Sequence, residues 1–259
     1  MAEHSTDSQS REARSNIAFY DLLADQYDLF FLDPRQNMED EGNWLGQLLG
    51  WEGATRILDA SCGCGRQAVP LLQRGFDIVA GDPSEPMLRR ARERASALGL
   101  QLRTVRAEFI QLPDLFSAEF HAIVTMGNGL CNVDTPEGIG RALSAMRRCL
   151  APRGVCIVGI KDFDRIRQER IRFHGHRIAD ETGTRTILFE VWDFEDPILV
   201  STAFVLRGSK TETAGWSAIS AQTREYMLGA AELETLARAA GFRSIERLPR
   251  AEEASFLLR

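Results

Sequence analysis

Short apolar runs alternate with segments of helical periodicity through the central part of the chain. Each run is too short for a buried helix and ends at a polar or glycine turn, which predicts a strand. The five runs occupy residues 56–60, 77–81, 102–107, 122–126 and 154–160. Because helical segments separate the strands, parallel pairing with right-handed crossovers is expected. The pattern predicts an α/β fold with a doubly wound, mostly parallel sheet that binds ligands at the carboxyl ends of its strands.

Two helices of this core begin at clear capping sequences. Residues 82–84, Asp-Pro-Ser, open a helix that stops at Gly99, and residues 135–137, Thr-Pro-Glu, open another. In the second helix, Ile139 and Leu143 lie four residues apart, as the buried face of a helix requires. Both segments are therefore expected to pack against the sheet.

The first 50 residues divide into two parts. Residues 1–15 are polar and lack periodicity, which predicts a disordered tail. Apolar positions then recur at helical spacing on both sides of Pro34, so residues 16–50 are expected to form an N-terminal helical cap. We assign residues 51–164 to the Rossmann-like core that follows.

The alternation of strands and helices stops after Lys161. Four strand-like segments follow, at residues 171–178, 186–194, 198–206 and 216–226. Turn residues at 181–183 and 195–197 separate the first three, which predicts an antiparallel insertion spanning 165–226. We expect this insertion to lie over the carboxyl edge as a lid. A contact between subunits of a homo-oligomer through the insertion is a second, open possibility. Residues 227–259 are expected to add a helix and two strands, which completes a seven-stranded sheet.

Composition excludes several classes of partner. The net charge is −6 with no run of basic residues, which argues against nucleic acid binding. No apolar stretch approaches the roughly 20 residues that span a bilayer, and the N-terminus lacks a secretory core, so a cytoplasmic protein is expected. The five cysteines show no paired spacing and are expected to be reduced thiols.

The most informative motif is the sequence DASCGCG, which follows the first strand. Glycines at 63 and 65 allow a sharp turn and a close approach of the backbone to a ligand. Asp82, at the end of the second strand, has the position of a carboxylate that accepts the hydroxyls of a ribose, although it would also serve as a helix cap before Pro83. The nicotinamide fingerprint does not fit, because Ala68 stands at its third glycine.

The stretch that carries these residues is RILDASCGCGRQAVPLLQRGFDIVAGDPSEPMLRRARERA. It resembles the first two motifs of class I S-adenosylmethionine-dependent methyltransferases, and the similarity extends over residues 16–165 and the final helix and strands. The resemblance implies S-adenosyl-L-methionine as cofactor. It implies cofactor-binding roles for Tyr20, Tyr27, Asp59, Ala60, Ser61, Gly63, Asp82, Pro83, Met87, Glu108, Phe109, Met126 and Gly127. Ser61 departs from the glycine that most members have.

The same resemblance assigns parts of the cofactor to these residues. Ala60, Ser61 and Gly63 would line the methionine portion, and Asp82 would hold the ribose. Glu108 would accept the adenine amino group, which Pro83 and Met87 would border. Tyr20 and Tyr27 match aromatic positions that close over the sulfonium, although a tyrosine on such a helix also packs simply as core.

The sequences MGNGLCNVD at 126–134 and VGIKDFD at 158–164 resemble signatures of glycine/sarcosine-type N-methyltransferases. Two departures qualify the match: Asn132 replaces a histidine, and Lys161 replaces the arginine that grips an amino acid carboxylate. The match therefore supports the architecture and the methyl donor more than it supports glycine as the acceptor.

The candidate catalytic residues are Tyr27, Asn128, Lys161 and His174, with Arg172 beside them in the acceptor pocket. Asn128 would orient the acceptor, and Lys161 would meet an anionic group on it. His174 and His176 alternate on a predicted strand and would serve as base or substrate contact, although a surface position is the favoured interpretation for both; without a third ligand, no metal site is expected.

The sequence favours methyl transfer from S-adenosylmethionine to a small molecule. No strong candidate for a general base is present, which favours an amine over a hydroxyl acceptor. Three alternatives remain: an O-methyltransferase, a protein that binds the cofactor without turnover, and a nucleotide-dependent oxidoreductase.

Overall fold

A computed structural model describes residues 16–181, 183–210, 215–249 and 253–259 of the chain. The predicted disordered tail at 1–15 lies outside the described residues, as does Thr182 in the predicted turn at 181–183.

A seven-stranded sheet forms the centre of the molecule. Its strands are β1 (Arg56–Asp59), β2 (Asp77–Asp82), β3 (Arg103–Arg106), β4 (Phe120–Thr125), β5 (Leu150–Ile160), β10 (Ile245–Leu248) and β11 (Ala254–Leu258). They lie in the order β10-β11-β5-β4-β1-β2-β3. The first five pair in parallel, and β11 is antiparallel to both of its neighbours. The predicted mostly parallel, seven-stranded α/β sheet is confirmed.

Helices cover both faces of this sheet. They are α1 (which includes residues 16–23), α2 (Pro34–Trp51), α3 (Ala68–Gln73), α4 (Glu85–Ala97), α5 (Leu112–Leu115), α6 (Pro136–Cys149), α7 (Phe163–Glu169) and α8 (Ala230–Ala239). A 3₁₀ segment, Ala24–Phe30, follows α1. Ser84 and Thr135 cap α4 and α6 by accepting backbone N–H groups three residues on, which is why these helices begin there. No described helix is long and apolar enough to span a membrane.

Two apolar clusters fill the space between the sheet and its helices. One joins α6 and α8 to one face, where Ile139, Leu143 and Met146 are fully buried. The other joins α2, α3 and α4 to the opposite face. The alternating sequence pattern thus arises from a sheet that is buried on both sides.

A second, antiparallel sheet follows the fifth strand. It consists of β6 (Phe173–Glu181), β7 (Thr184–Glu195), β8 (Ile198–Ser209) and β9 (Ser217–Tyr226), paired in sequence order. The chain enters it through α7, which the sequence pattern did not predict. Side chains of β7 and β9 line the same cleft as residues that follow β1, β2 and β4. The antiparallel insertion is therefore confirmed, and it lies over the carboxyl edge of the main sheet.

Candidate active site

A cleft of about 1040 Å³ lies between the two sheets. We call residues 60–63, 82–83 and 107–109, at the carboxyl ends of β1, β2 and β3, the floor. We call the facing side chains of the second sheet the roof: His174, His176, Glu190, Trp192, Thr223 and Glu225. Most of the predicted site residues line this cleft: Tyr20, Tyr27, Ala60, Ser61, Gly63, Asp82, Pro83, Glu108, Phe109, Met126, Gly127, Asn128, Lys161 and His174.

Three predicted residues lie outside the cleft lining, which corrects the expectation that they contact a ligand. Asp59 is fully buried behind the glycine turn. Burial raises its pKa to about 8, although hydrogen bonds from backbone N–H groups lower it in part. Met87 is fully buried against Cys64 in the core. Arg172 pairs with Asp193 at the surface.

The glycine turn after β1 brings the backbone to the cleft. Gly63 has a φ of +49°, and a side chain there would meet no atom within 4 Å, so its backbone faces open space. Ser61, the departure from the family pattern, donates or accepts a 2.8 Å hydrogen bond with Thr125 Oγ1. A Cβ on Gly129 would overlap the Ser61 side chain. Gly129 thus supplies the room that serine needs at this position.

Asp82 is the buried acid of the floor. Its Oδ2 accepts the Gly63 N–H at 2.9 Å and its Oδ1 accepts the Ser84 N–H at 2.9 Å. Burial raises the pKa of Asp82 to about 6, although these two donors favour the charged form. The cap of α4 is Ser84, so the alternative role for Asp82 as that cap is wrong. A carboxylate has about four acceptor positions, which leaves two for a ligand.

Arg66 is a floor-side residue that the sequence analysis missed. Its guanidinium lies 3.3 Å from the centre of the Phe31 ring, and it bonds to Asn37 and to Glu41, the latter at 3.0 Å. Nη1 is buried and has no hydrogen-bond partner in the described part of the chain. Its position directly after the glycine turn was the available signal. Arg66 gives the cleft a cation with an unused donor.

The loop after β4 places Asn128 between floor and roof. Asn128 is 3% exposed and has a φ of +68°, and its Oδ1 accepts the Lys161 N–H at 3.1 Å. Its Nδ2 is buried without a partner in the described residues. A buried, unsatisfied amide donor that lines a cleft is costly unless a ligand accepts its hydrogen bond.

The two tyrosines lie side by side along the cleft wall, with ring centres 6.1 Å apart and ring planes tilted by 56°. The Tyr20 hydroxyl donates to Asn132 Oδ1 at 3.3 Å, and Asn132 Nδ2 lies 3.0 Å from the same hydroxyl. Burial raises the pKa of both phenols well above their usual value. Both therefore stay neutral near pH 7 and are unsuited to act as bases.

Lys161 lies at the end of β5 under the roof. Its Nζ lies 2.9 Å and 2.7 Å from the two carboxylate oxygens of Glu225, and 4.9 Å from the centre of the Trp192 ring. Burial disfavours the ammonium, but Glu225 and Glu190 outweigh it and raise the pKa of Lys161. The ammonium is therefore already compensated, which corrects the expectation that it is available to meet an anionic group on the acceptor.

The two roof histidines differ in their partners. His174 stacks on Trp192 with ring centres 3.7 Å apart, and its Nε2 lies 3.0 Å from the Ile171 carbonyl oxygen. His176 Nε2 lies 2.6 Å from a carboxylate oxygen of Glu190. The sequence analysis favoured a surface position for both, whereas both line the cleft. No group of three metal-ligating side chains occurs within the described ranges.

Comparison with known proteins shows what the central part of the chain resembles. Residues 57–154 match the family model described as a methyltransferase domain. The glycine/sarcosine N-methyltransferase of Halorhodospira halochloris is 33% identical over 148 residues, which cover 57% of this chain and 55% of that protein. The chain is similar over this domain to class I S-adenosylmethionine-dependent methyltransferases. It spans about half the length of the curated relatives it matches.

Solved structures share the fold over most of the chain. Streptomyces venezuelae DesVI superposes with a TM-score of 0.76 at 21% identity and covers 91% of this chain and 97% of its own. The sugar N-methyltransferase KedS8 from Streptoalloteichus sp. ATCC 53650 has a TM-score of 0.69 at 17% identity, with 84% and 85% covered. At these identities the likeness concerns the fold.

S-adenosylmethionine is the cofactor of this methyltransferase family, and the groups present suit it chemically. A ribose requires hydroxyl acceptors, which Asp82 has to spare. A methionine carboxylate requires a cationic donor, and Arg66 Nη1 is unused. The open approach at Gly63 leaves room for a ligand against the backbone. The donor set therefore fits the cofactor.

Proposed function

We propose that this protein transfers a methyl group from S-adenosylmethionine to a nitrogen atom of a small molecule. The observation that carries the proposal is the single cleft that joins the floor, with the spare acceptors of Asp82, to the unpaired amide of Asn128 beneath the roof. N-methyltransferases among the relatives support the choice of nitrogen.

In this proposal the floor holds the cofactor, which supplies an electrophilic methyl group on a sulfonium. Asp82 accepts the ribose hydroxyls, and Arg66 donates to the methionine carboxylate. The backbone of Ala60, Ser61 and Gly63 lies along the methionine portion. Pro83, Glu108 and Phe109 border the adenine. Asp59 and Met87 support this surface from behind without touching the ligand.

The chain's own contribution to the reaction is alignment. Methyl transfer is an in-line displacement, so a nucleophile held on one axis with the methyl group gains most of its rate from orientation. Asn128 Nδ2 donates to the acceptor, and Tyr27 closes the wall between floor and roof. Tyr20, Met126 and Gly127 complete the wall and exclude water.

The paired state of Lys161 narrows the acceptor class. Because both carboxylate oxygens of Glu225 bond to its ammonium, Lys161 lacks a free charge for a carboxylate next to the reacting nitrogen. We propose that the acceptor is an amine whose group next to Lys161 is uncharged. A small amino acid such as glycine, which has a carboxylate there, does not fit this description. His174 contributes its stacked ring as a contact surface rather than as a base.

Calorimetric titration with S-adenosylhomocysteine, followed by mass spectrometry of reactions with a panel of amines, amino acids and phenols, tests the proposal. We expect micromolar binding and transfer to a non-amino-acid amine. Product methylated on oxygen would establish the O-methyltransferase alternative. Tight binding without methyl consumption across the panel would establish a cofactor-binding protein without turnover.

The insertion has two further proposed roles. As a lid, it is tied to α1 by Asn16, whose side chain bonds to the backbone of Arg224 and accepts the Thr223 hydroxyl. As a subunit contact, its outward face exposes Phe173 and Ile178, on which a second copy would pack. Sedimentation velocity tests the latter, since a monomer at micromolar concentration would remove it.

A further inference from the structure

A bulge in the second sheet turns a histidine towards the cleft. The pairing of β6 with β7 is regular up to Gly175 and resumes at Arg177 with a shifted register. His176 is the extra residue between them, and it has no Cα partner on β7. Bulges of this kind re-aim single side chains and recur beside active sites. His176 lines the cleft and packs against Phe30 with ring centres 5.2 Å apart.

A buried acid holds this histidine. Glu190 is 6% exposed; its Oε2 lies 2.6 Å from His176 Nε2, and its Oε1 accepts the Ser201 hydroxyl at 2.5 Å. Burial disfavours the carboxylate, but His176, Lys161 and Ser201 together lower the pKa of Glu190 to about 2. Glu190 is therefore ionised near pH 7 and acts only as an acceptor.

This arrangement fixes the histidine tautomer. Because Glu190 donates no proton, His176 Nε2 must carry the hydrogen of their short bond. In neutral His176 the other ring nitrogen, Nδ1, then holds a free lone pair, and it makes no hydrogen bond within the described ranges. A carboxylate on one imidazole nitrogen and an available lone pair on the other is the arrangement of a general base.

We propose that His176, positioned by Glu190 and Ser201, is the base that takes a proton from the amine before the methyl group is transferred to it. The proposal rests on the proposed function and adds the proton transfer that an amine requires. His174 does not qualify, because its ring lies on Trp192 and its Nε2 bonds to a backbone carbonyl. Glu190 is a positioning residue in this assignment.

The proposed reaction moves one proton to His176 and one methyl group to the amine nitrogen. An amine arrives protonated, one N–H bond breaks, and the proton joins His176 Nδ1 to give an imidazolium that Glu190 stabilises. The freed nitrogen lone pair forms the bond to the methyl carbon, while the carbon–sulfur bond breaks and leaves its pair on sulfur. Water takes the proton from Nδ1 when the product leaves.

The charged and titratable groups around His176 come from three elements. Glu190 from β7 bonds to it directly, and Phe30 from the 3₁₀ segment covers its ring. Tyr27 on the same segment is neutral, and Lys161 at the end of β5 interacts with Glu190 while it is paired with Glu225. The local charge nearest the ring is therefore the carboxylate.

Nitrogen-15 NMR of the histidine side chains tests the arrangement without any turnover. The chain has four histidines, so single substitutions assign every signal. We expect neutral His176 to carry its proton on Nε2 in the wild-type protein, and to lose this preference in Glu190→Gln. A proton on Nδ1 in the wild-type protein would overturn the proposal.

Steady-state kinetics with an amine that the protein methylates test the role of His176 as proton acceptor. We expect His176→Asn to lower kcat about 100-fold at pH 7 with unchanged cofactor Kd, and the loss to shrink at high pH, where the amine arrives neutral. His121→Asn is the matched control, because His121 is exposed at the amino end of β4, away from the cleft.

The outcomes separate the two proposals. If the wild-type protein transfers the methyl group and the kcat of His176→Asn is within threefold of the wild-type kcat, the role of His176 is overturned and the proposed function stands. Absence of transfer to every amine overturns the proposed function itself.

Discussion

The floor and the roof of the cleft are built in different ways. In the floor, the main chain holds the ligand-facing acid: Asp82 accepts N–H groups from Gly63 and from Ser84, within one local motif. In the roof, side chains hold one another over long separations, as Lys161 holds Glu225 across 64 positions. The family model covers 57–154, which contains the floor and none of the roof strands. The residues that match the family model thus contain the floor, whereas the roof lies outside the matched range.

The two regions also differ in electrostatics. Burial raises the pKa values of Asp59 and Asp82 in and behind the floor to about 8 and about 6. In the roof, partners lower the pKa of Glu190 to about 2. The floor therefore has hydrogen-bond acceptors that a bound ligand can use, whereas the charged side chains of the roof are already paired with one another.

The largest expected effect lies in the roof. Lys161→Met leaves the buried Glu225 without its partner, and we expect a loss of about 3 kcal/mol in the free energy of unfolding, the cost of breaking a buried pair. Denaturant unfolding measures it. Lys210→Met is the matched control, because Lys210 pairs with Asp180 at the surface and should cost about 1 kcal/mol or less. Equal losses in the two variants would contradict the buried pair.

The next effect belongs to the floor. Asp82→Ala removes two spare acceptors, and a hydrogen bond to a charged group contributes about 1.5–3 kcal/mol. We expect the Kd for S-adenosylmethionine to rise by about 10- to 150-fold in calorimetric titration. Asp77→Ala, at the exposed opposite end of β2, is the control and should bind as the wild type does. An unchanged Kd in Asp82→Ala would remove this residue from the site.

A pH titration separates the regions by charge state. Since burial raises the pKa of Asp82 to about 6, its carboxylate is present above pH 6 and is lost as the pH falls through that value. We expect cofactor affinity to fall about fivefold between pH 6 and pH 5, as the ionised fraction of Asp82 does. Asp82→Asn should abolish this part of the pH dependence. A wild-type affinity that is flat over this interval would show that the charge of Asp82 is not used.

The smallest effect concerns closure of the roof. Thr223 donates to Asn16 Oδ1 at 2.9 Å in a buried contact between β9 and α1. Thr223→Val keeps the shape and removes this bond, at a cost of about 1 kcal/mol. We expect a roughly fivefold higher acceptor KM with unchanged cofactor Kd. Thr202→Val, on the neighbouring strand β8 with an exposed partner, is the control. A change in cofactor Kd instead would contradict the separation of floor and roof.

The sequence alone determined the main sheet, the glycine-turn motif and the residues of the floor. Strand periodicity, the glycine turn and the cap at Ser84 are local signals, because each depends on residues a few positions apart. The acid at Asp82 was found for the same reason, since it ends a strand directly before a helix. These features form the floor.

Only the tertiary structure decided the state of the roof charges. The sequence points to Lys161 and His176 as candidates, but no local pattern marks Glu190, Glu225 or Ser201 as their partners. Asp59 and Met87 were placed in the site because they flank its motifs, whereas packing turned both into the core. The physical reason is that a side chain's charge and exposure depend on neighbours from distant parts of the chain, which folding brings within a few ångströms.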